Sequence, residues 1–334
     1  MEDLFERKSS RGVALQRSLS PTWVKVWIAV AVVALLIYFN RVDASVLAEL
    51  VHTWPWLVAA FLLMMPTFMV VSLRFRVILE SQEIAISSMQ AVRWTMIGSF
   101  FDLVMPSSSG GDLVKAGYVA RHVGVGRRTQ AVMAVAFDRV LGLIGLFLLV
   151  CIVSGMGWDL LRDLPARNMV VGVAGLASLG ALLFLRVAGA RSLYRVVDRS
   201  LSKHAWGQRA TQLVACFTVL REHPRHLFAA LALSVLNHVF WCASLLCLIR
   251  VVGGKVEAMK GFVVFPLAIF SNVFGVAGGF GGGTVGFDLV ITQLLAMENG
   301  ALIGLLFQSL SALARLVGGL PFYLLAPRVE KRPG

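Results

Sequence analysis

The sequence is short of charge. Only 15% of its 334 residues are Asp, Glu, Lys or Arg, against 58% apolar residues. An ordinary soluble chain carries roughly 25% charged residues and fewer long apolar runs, so the deficit excludes a water-soluble domain. Long polar blocks are scarce too. The longest, about Arg186 to His226, is roughly 40 residues, near the lower limit at which a domain folds unaided. The four cysteines, Cys151, Cys216, Cys242 and Cys247, are scattered, with neither a disulfide framework nor a metal spacing. The six histidines are dispersed as well. There is no catalytic triad, no carboxylate pair in a polar domain and no metal cluster. No cofactor and no metal are expected, and enzymatic activity is the less favoured reading.

Acidic residues are outnumbered, 18 against 31 basic ones, for a net charge of +13. Such a surplus fits nucleic acid only if it forms one polar face. Here the basic residues gather in loops between apolar runs, the positive-inside pattern of membrane proteins, where they also attract anionic lipid headgroups. Nucleic acid is excluded as a partner.

Apolar runs near the roughly 20 residues needed to cross hydrocarbon occur at Trp23–Phe39, Val51–Leu73, Ala131–Ser154, Met169–Val187, Leu227–Ile249 and Ala301–Leu325. Trp23, Trp54, Trp56 and Trp158 sit near their ends, where amphipathic rings anchor at headgroups. Two further apolar segments, Met89–Met105 and Phe262–Gly278, end in glycine-rich breaks. The breaks read FDLVMPSSSGGD, Phe101 to Asp112, and FGVAGGFGGGTVGFD, Phe274 to Asp288. Irregular backbone at membrane depth survives only where protein or a water-filled cavity covers it, and broken helices often hold transporter substrates.

Charge decides how these segments run. If every one crossed, Arg121, Arg127 and Arg128 would fall outside, against the positive-inside rule. The conflict vanishes if Met89–Met105 enters from the cytoplasmic side and returns as Asp112–Val123. If Phe262–Gly278 and Thr284–Met297 form a second hairpin entered from outside, Arg328, Lys331 and Arg332 land inside. The loop with Arg250, Lys255 and Lys260 then lies outside, against the trend. The expected fold is all-α and polytopic, with about six transmembrane helices plus two re-entrant helical hairpins. A basic cytoplasmic tail spans 1–22, one transmembrane domain 23–326 and a second tail 327–334. The first span is read as retained rather than cleaved. Both termini are expected in the cytoplasm of a bacterial cell, with the chain in its inner membrane.

Each hairpin carries an acidic residue, Asp112 or Asp288, and precedes a span with an arginine. These spans read FDRVLG around Arg139 and LARLVGG around Arg315. Two readings stand: an inverted repeat, as in transporters, or a chance match between glycine-rich stretches, since small residues are favoured in helix packing.

Ionised groups inside a span are costly and face the bundle interior. Asp138 and Arg139 are adjacent, about 100° apart on a helix, so they cannot share one contact. They either lock hairpin to span or face a substrate, and the same choice holds for Arg315. A buried guanidinium suits phosphate, which it grips bidentately. Serines 107–109 and Asp112 suit the start of the returning half-helix, whose amides at Gly110, Gly111 and Asp112 form an anion site. Asp112 would oppose an anion, and orients Lys115 or Arg139 instead. Thr284 is placed to cap the second returning half-helix, with Asp288 one turn inside. The glycines of the second break resemble a dinucleotide fingerprint only superficially, because no βαβ unit surrounds them. Asn272, Asn237 and His238 read as interhelical glue.

These positions carry a family resemblance over roughly residues 23–326. The chain resembles flippase-like membrane proteins named after the transmembrane half of lysylphosphatidylglycerol synthase. The clearest pieces are MPSSSGGDLVKAGYVARHVGVGRRTQAVMAVAFDRVLGLIGL and the late LARLVGG. The family's first signature is matched by Pro106, Gly111, Asp112 and Lys115, and its acidic-Arg pair by Asp138–Arg139. Its late arginine is matched by Arg315. The second signature departs: its proline is missing, and its glutamate is replaced by the displaced Asp288. In the two-domain synthases a soluble domain aminoacylates phosphatidylglycerol and the membrane half is thought to flip the product. That soluble domain is not expected here, so the resemblance implies lipid handling rather than lipid aminoacylation. The expected ligand is an anionic phospholipid or a polyprenyl-phosphate lipid, held at its headgroup by Arg139 and Arg315 with Asp112, Lys115, Asp138, Gly111, Asp288 and Thr284 around it. A glycosyltransferase or lipid-modifying enzyme is the expected protein partner. The rival readings are a membrane-embedded glycosyl- or lipid-transferase, and a non-catalytic partner of a lipid-modifying enzyme.

Overall fold

The computed structural model describes residues 44–105, 110–201, 205–274 and 279–325. The expected first span Trp23–Phe39, the two tails, Pro106 with the three serines, and Gly275 to Gly278 lie outside the described residues. The described chain is all helical in its regular structure. The helices are α1 (Ala44–Ser81), α2 (Ser88–Val104), α3 (Gly110–Val123), α4 (Arg128–Met156), α5 (Arg167–Ala188), α6 (Arg191–Leu201), α7 (Ala205–Glu222), α8 (Pro224–Val251), α9 (Ala258–Ser271), α10 (Gly282–Leu295) and α11 (Gly300–Leu324). Five of them, α1, α4, α5, α8 and α11, are long and apolar enough to cross a membrane. The chain is a multi-pass membrane protein.

The two breaks turn the chain back as expected. Helix α2 packs on α3, and α9 on α10. The first hairpin opens with a capping box: Ser87 accepts from the Gln90 amide and Gln90 accepts from the Ser87 amide. At the second break the chain passes through Gly279 and Gly281 at φ of +116° and +80°, a region open to glycine at little steric cost.

Helices α1 and α8 pack on one another along their length and run antiparallel. Thr53 donates to the Val251 carbonyl, Ser244 to the Ala60 carbonyl and Arg74 to Ser234, so numbers rise along α1 as they fall along α8. The hairpin that follows α1 therefore starts at one end of the bundle, and the hairpin that follows α8 starts at the other. Packing repeats under exchange of the halves. Helix α2 lies against α11, where Phe100 stacks on Tyr323. Helix α9 lies against α4, where Phe270 meets Phe147. Close approach rests on small residues, as in membranes generally: a side chain at Gly319 would meet the Met96 carbonyl and Phe100.

Two expectations are corrected. The stretch from Arg186 to His226 is not a loop: α6 and α7 pack on one another there, and α7 buries Cys216 and Leu220 in a cluster with Phe75 and Phe137. Nor does the second span end at Leu73. Helix α1 continues to Ser81 and carries Arg74 inward, 6% exposed, because a carboxylate awaits it.

Candidate functional site

Between the two hairpins lies a cavity of about 300 Å³. Its walls come from α1, α2, α3, α4, α8, α9 and α11, and it gathers Arg74, Asp102, Asp112, Lys115, Asp138, Arg139 and Arg315. Charges this deep are retained only where they face a cavity or one another, and here they do both.

The deepest group centres on Asp138, 3% exposed. Arg74 Nε donates to its Oδ1 at 2.7 Å and Lys115 Nζ to its Oδ2 at 3.0 Å. Arg74 Nη1 donates onward to Ser234 at 3.1 Å. The Lys115 ammonium also lies over the Phe75 ring, 4.6 Å from its centre, within cation–π range. This triad ties α1, α3, α4 and α8 together.

The second group is nearer the opening. Arg139 Nε donates to Asp112 Oδ2 at 2.7 Å, and Nη2 lies 2.6 Å from the same oxygen. The Arg139 side chain is 41% exposed. Asp112 also has Lys115 at 3.9 Å. Of the two cations that the sequence offered it, Asp112 bonds Arg139, while Lys115 bonds Asp138 instead.

The third group is Asp102 with Arg315. Asp102 accepts from the Gly111 amide at 2.8 Å and interacts electrostatically with Arg315, Asp112 and Arg139. Gly111 therefore serves the hairpin turn, where a methyl group would overlap the Gly98 carbonyl and crowd the Asp102 carboxylate. Gly111→Ala is expected to destabilise the protein by about 1–3 kcal/mol, the usual range for overpacking. A thermal melt in detergent measures it; an unchanged midpoint would show that the hairpin can open without loss. Arg315 makes no hydrogen bond or ion pair with a described residue, and Asp102 is its electrostatic counter-charge.

The second hairpin rebuilds this arrangement without charge. Gln308 on α11 donates to Asn272 Oδ1 and to the Gly279 carbonyl, each at 3.0 Å, and accepts from Thr284 Oγ1 at 2.7 Å. Thr284 and Gln308 thus mirror Asp112 and Arg139, and Asn272 mirrors Asp102. Of the expected site residues, Arg139, Arg315, Asp112, Lys115 and Asp138 line the cavity. Gly111 lies just behind its wall, and Thr284 reaches it only through Gln308 and Asn272. Asp288 is turned away: its Oδ1 accepts from the Ala301 amide at 3.2 Å and from Thr292 at 3.4 Å, at the start of α11.

Arg74 and Asp102 are the site residues that the motif reading omits. Arg74 follows an apolar run, and Asp102 is the second residue of the first break; each is a charge bordering hydrocarbon. Among the described residues, three polar atoms in the cavity walls have no hydrogen-bond partner: Thr95 Oγ1, Asn237 Oδ1 and His238 Nδ1. His238 Nε2 lies 3.0 Å from the Gly142 carbonyl. A carbonyl only accepts, so Nε2 carries the proton and neutral Nδ1 is an acceptor.

A family model described as "Lysylphosphatidylglycerol synthase TM region" matches residues 23–319. No curated protein and no solved structure matches this chain.

Proposed function

The chain belongs to the lysylphosphatidylglycerol synthase transmembrane-region family, and on that premise we propose that it handles a membrane lipid as a flippase does, taking the phosphate-bearing headgroup into the cavity between its hairpins. The observation that carries this reading is Arg315. It is a cation on the cavity wall without a hydrogen-bonded partner among the described residues, beside Arg139, whose guanidinium is 41% exposed. A phosphate between them would satisfy the Arg315 fork and share Arg139 with Asp112. Asp112 would hold Arg139 in place until the anion arrives.

The acceptors at Asn237 and His238 and the Thr95 hydroxyl line the same cavity. They suit hydroxyl or ammonium donors carried beyond the phosphate, so a lipid headgroup fits better than a bare phosphate. The hairpins, entering from opposite ends, would close alternately on it. An anionic phospholipid or polyprenyl-phosphate lipid meets these requirements, and positive-inside charge supports cytoplasmic termini. The transferase reading is weaker, because every cavity carboxylate is held by a donor: Asp138 by Arg74 and Lys115, Asp112 by Arg139, Asp102 by the Gly111 amide.

Mass spectrometry of the gently purified protein tests the reading. A phosphate-bearing lipid should be retained by the native chain and depleted by Arg315→Gln. Equal retention in both, or a covalently altered lipid after incubation, would overturn it.

A further inference from the structure

A second cavity, of about 430 Å³, shares no lining residue with the first. It lies where α5, α7 and the start of α8 meet, and its walls are apolar: Leu179, Leu182, Leu183, Phe217, Leu220 and Leu227. Helix α5 packs chiefly on α4 and α7, leaving Leu176, Leu179, Leu183 and Phe184 at least half exposed. Among the described residues nothing covers that face, and in a membrane it would meet acyl chains, with the crevice opening onto lipid.

One end of the crevice is different. Arg186, in the last turn of α5, and Arg221, in the last turn of α7, both line it. Helix α5 can bring them together because its cap is Gly189: any side chain there would strike the Phe217 carbonyl of α7. Arg221 reaches the Gly189 carbonyl at a marginal 3.4 Å, and neither arginine has an ion-pair partner among the described residues. The adjacent Glu222 is taken by Arg191 at 2.7 Å. Pro224 lines the crevice too, so the positive end of the α8 dipole faces it. This is also the end of the bundle that carries Arg76, Arg121, Arg127 and Arg128, the level of the headgroups by charge distribution.

We propose that this crevice binds one anionic phospholipid, with its phosphate between Arg186 and Arg221 and one acyl chain along Leu179, Leu183, Phe217 and Leu227. Basic grooves between membrane helices recognise anionic headgroups by this means, and guanidinium groups grip phosphate bidentately. The chain's own tails suit the crevice less well, because Arg7, Lys8, Arg11 and Arg17 outnumber Glu2, Asp3 and Glu6 at one end, and Arg328, Lys331 and Arg332 outnumber Glu330 at the other.

The test is a thermal melt of the full chain in neutral detergent, with phosphatidylglycerol, phosphatidylcholine or inorganic phosphate added in turn. Phosphatidylglycerol should raise the midpoint by about 5 °C, as expected of a saturating ligand that binds only the folded state. The other two additions should change it little. The Arg186→Gln/Arg221→Gln variant should lose at least half of the rise, and each single variant part of it; both side chains are exposed, so the fold is spared. Arg315→Gln should keep what the double variant loses, which separates this site from the first cavity. An undiminished rise in the double variant, an equal rise with phosphatidylcholine, or an equal rise with phosphate alone would each overturn the proposal.

Discussion

Asp138→Ala is expected to destabilise the folded protein by about 3–5 kcal/mol, the usual cost of removing one partner from a buried ion pair. The substitution deletes the only carboxylate among the described residues within hydrogen-bonding distance of both Arg74 and Lys115, which donate to it at 2.7 and 3.0 Å. Two cations then remain in a space that is 6% exposed at each of them. Hydrocarbon offers no counter-charge, and an ionised side chain there must be paired or reach water. Lys115→Met removes the opposite partner and should behave differently. It leaves Arg74 and Asp138 as a one-to-one pair, and methionine replaces much of the aliphatic stem that packs on Gly98. The loss should be smaller, about 1.5–3 kcal/mol, that of one hydrogen bond between charged groups. Unfolding midpoints in detergent, with the fraction of monodisperse protein as a second reading, would rank the two variants. Equal losses from both would mean that Asp138 acts by packing and not by balancing charge.

Much of the architecture could be read without coordinates, and the reason is physical. A bilayer forces apolar length onto every crossing segment, and positive-inside charge then fixes direction. The span from Arg128 to Met156 was expected at Ala131–Ser154, and the one from Pro224 to Val251 at Leu227–Ile249. The cluster Arg121, Arg127 and Arg128 alone required the first apolar segment to turn back. What hydropathy hid was the helix pair α6 and α7, whose packing against one another no apolar run announces.

The site was legible by letter and misplaced by register. Arg139, Asp138, Asp112 and Lys115 stand out because each is charged at membrane depth. Their partners did not, since Arg74 lies 64 residues from Asp138 along the chain and resembles an arginine that snorkels to the interface. The likeness between the halves misled at Asp288. Counted from the helix start, Asp112 is the third residue of α3, and the third residue of α10 is Thr284. Asp288 falls on a later turn and meets the start of α11 instead. Likewise the contact partner equivalent to Arg139 is Gln308, not Arg315. The repeat is one of helices and packing; its charges belong to the first hairpin, and Arg315 reaches across to join them.

That asymmetry sets the second large effect. Arg315→Gln should weaken lipid-headgroup binding, and the transport that depends on it, by roughly 10- to 100-fold, since a hydrogen bond to a charged partner contributes about 1.5–3 kcal/mol and each 1.4 kcal/mol is tenfold. Stability should not fall with it. The native side chain makes no hydrogen bond to a described residue, so glutamine removes a poorly compensated cation and leaves Asp102 its bond from the Gly111 amide. Arg315→Lys keeps the charge and loses the planar fork, and should fall between the two. Arg139→Gln should harm both properties, because Asp112 then loses the guanidinium that holds it at 2.7 Å. Labelled-lipid movement in reconstituted vesicles, read beside melting midpoints, separates these cases. Binding lost with the fold intact identifies Arg315 as the headgroup anchor. Transport undiminished in a well-folded Arg315→Gln would remove the cavity's only cation without a hydrogen bond among the described residues from the mechanism, and the headgroup reading with it.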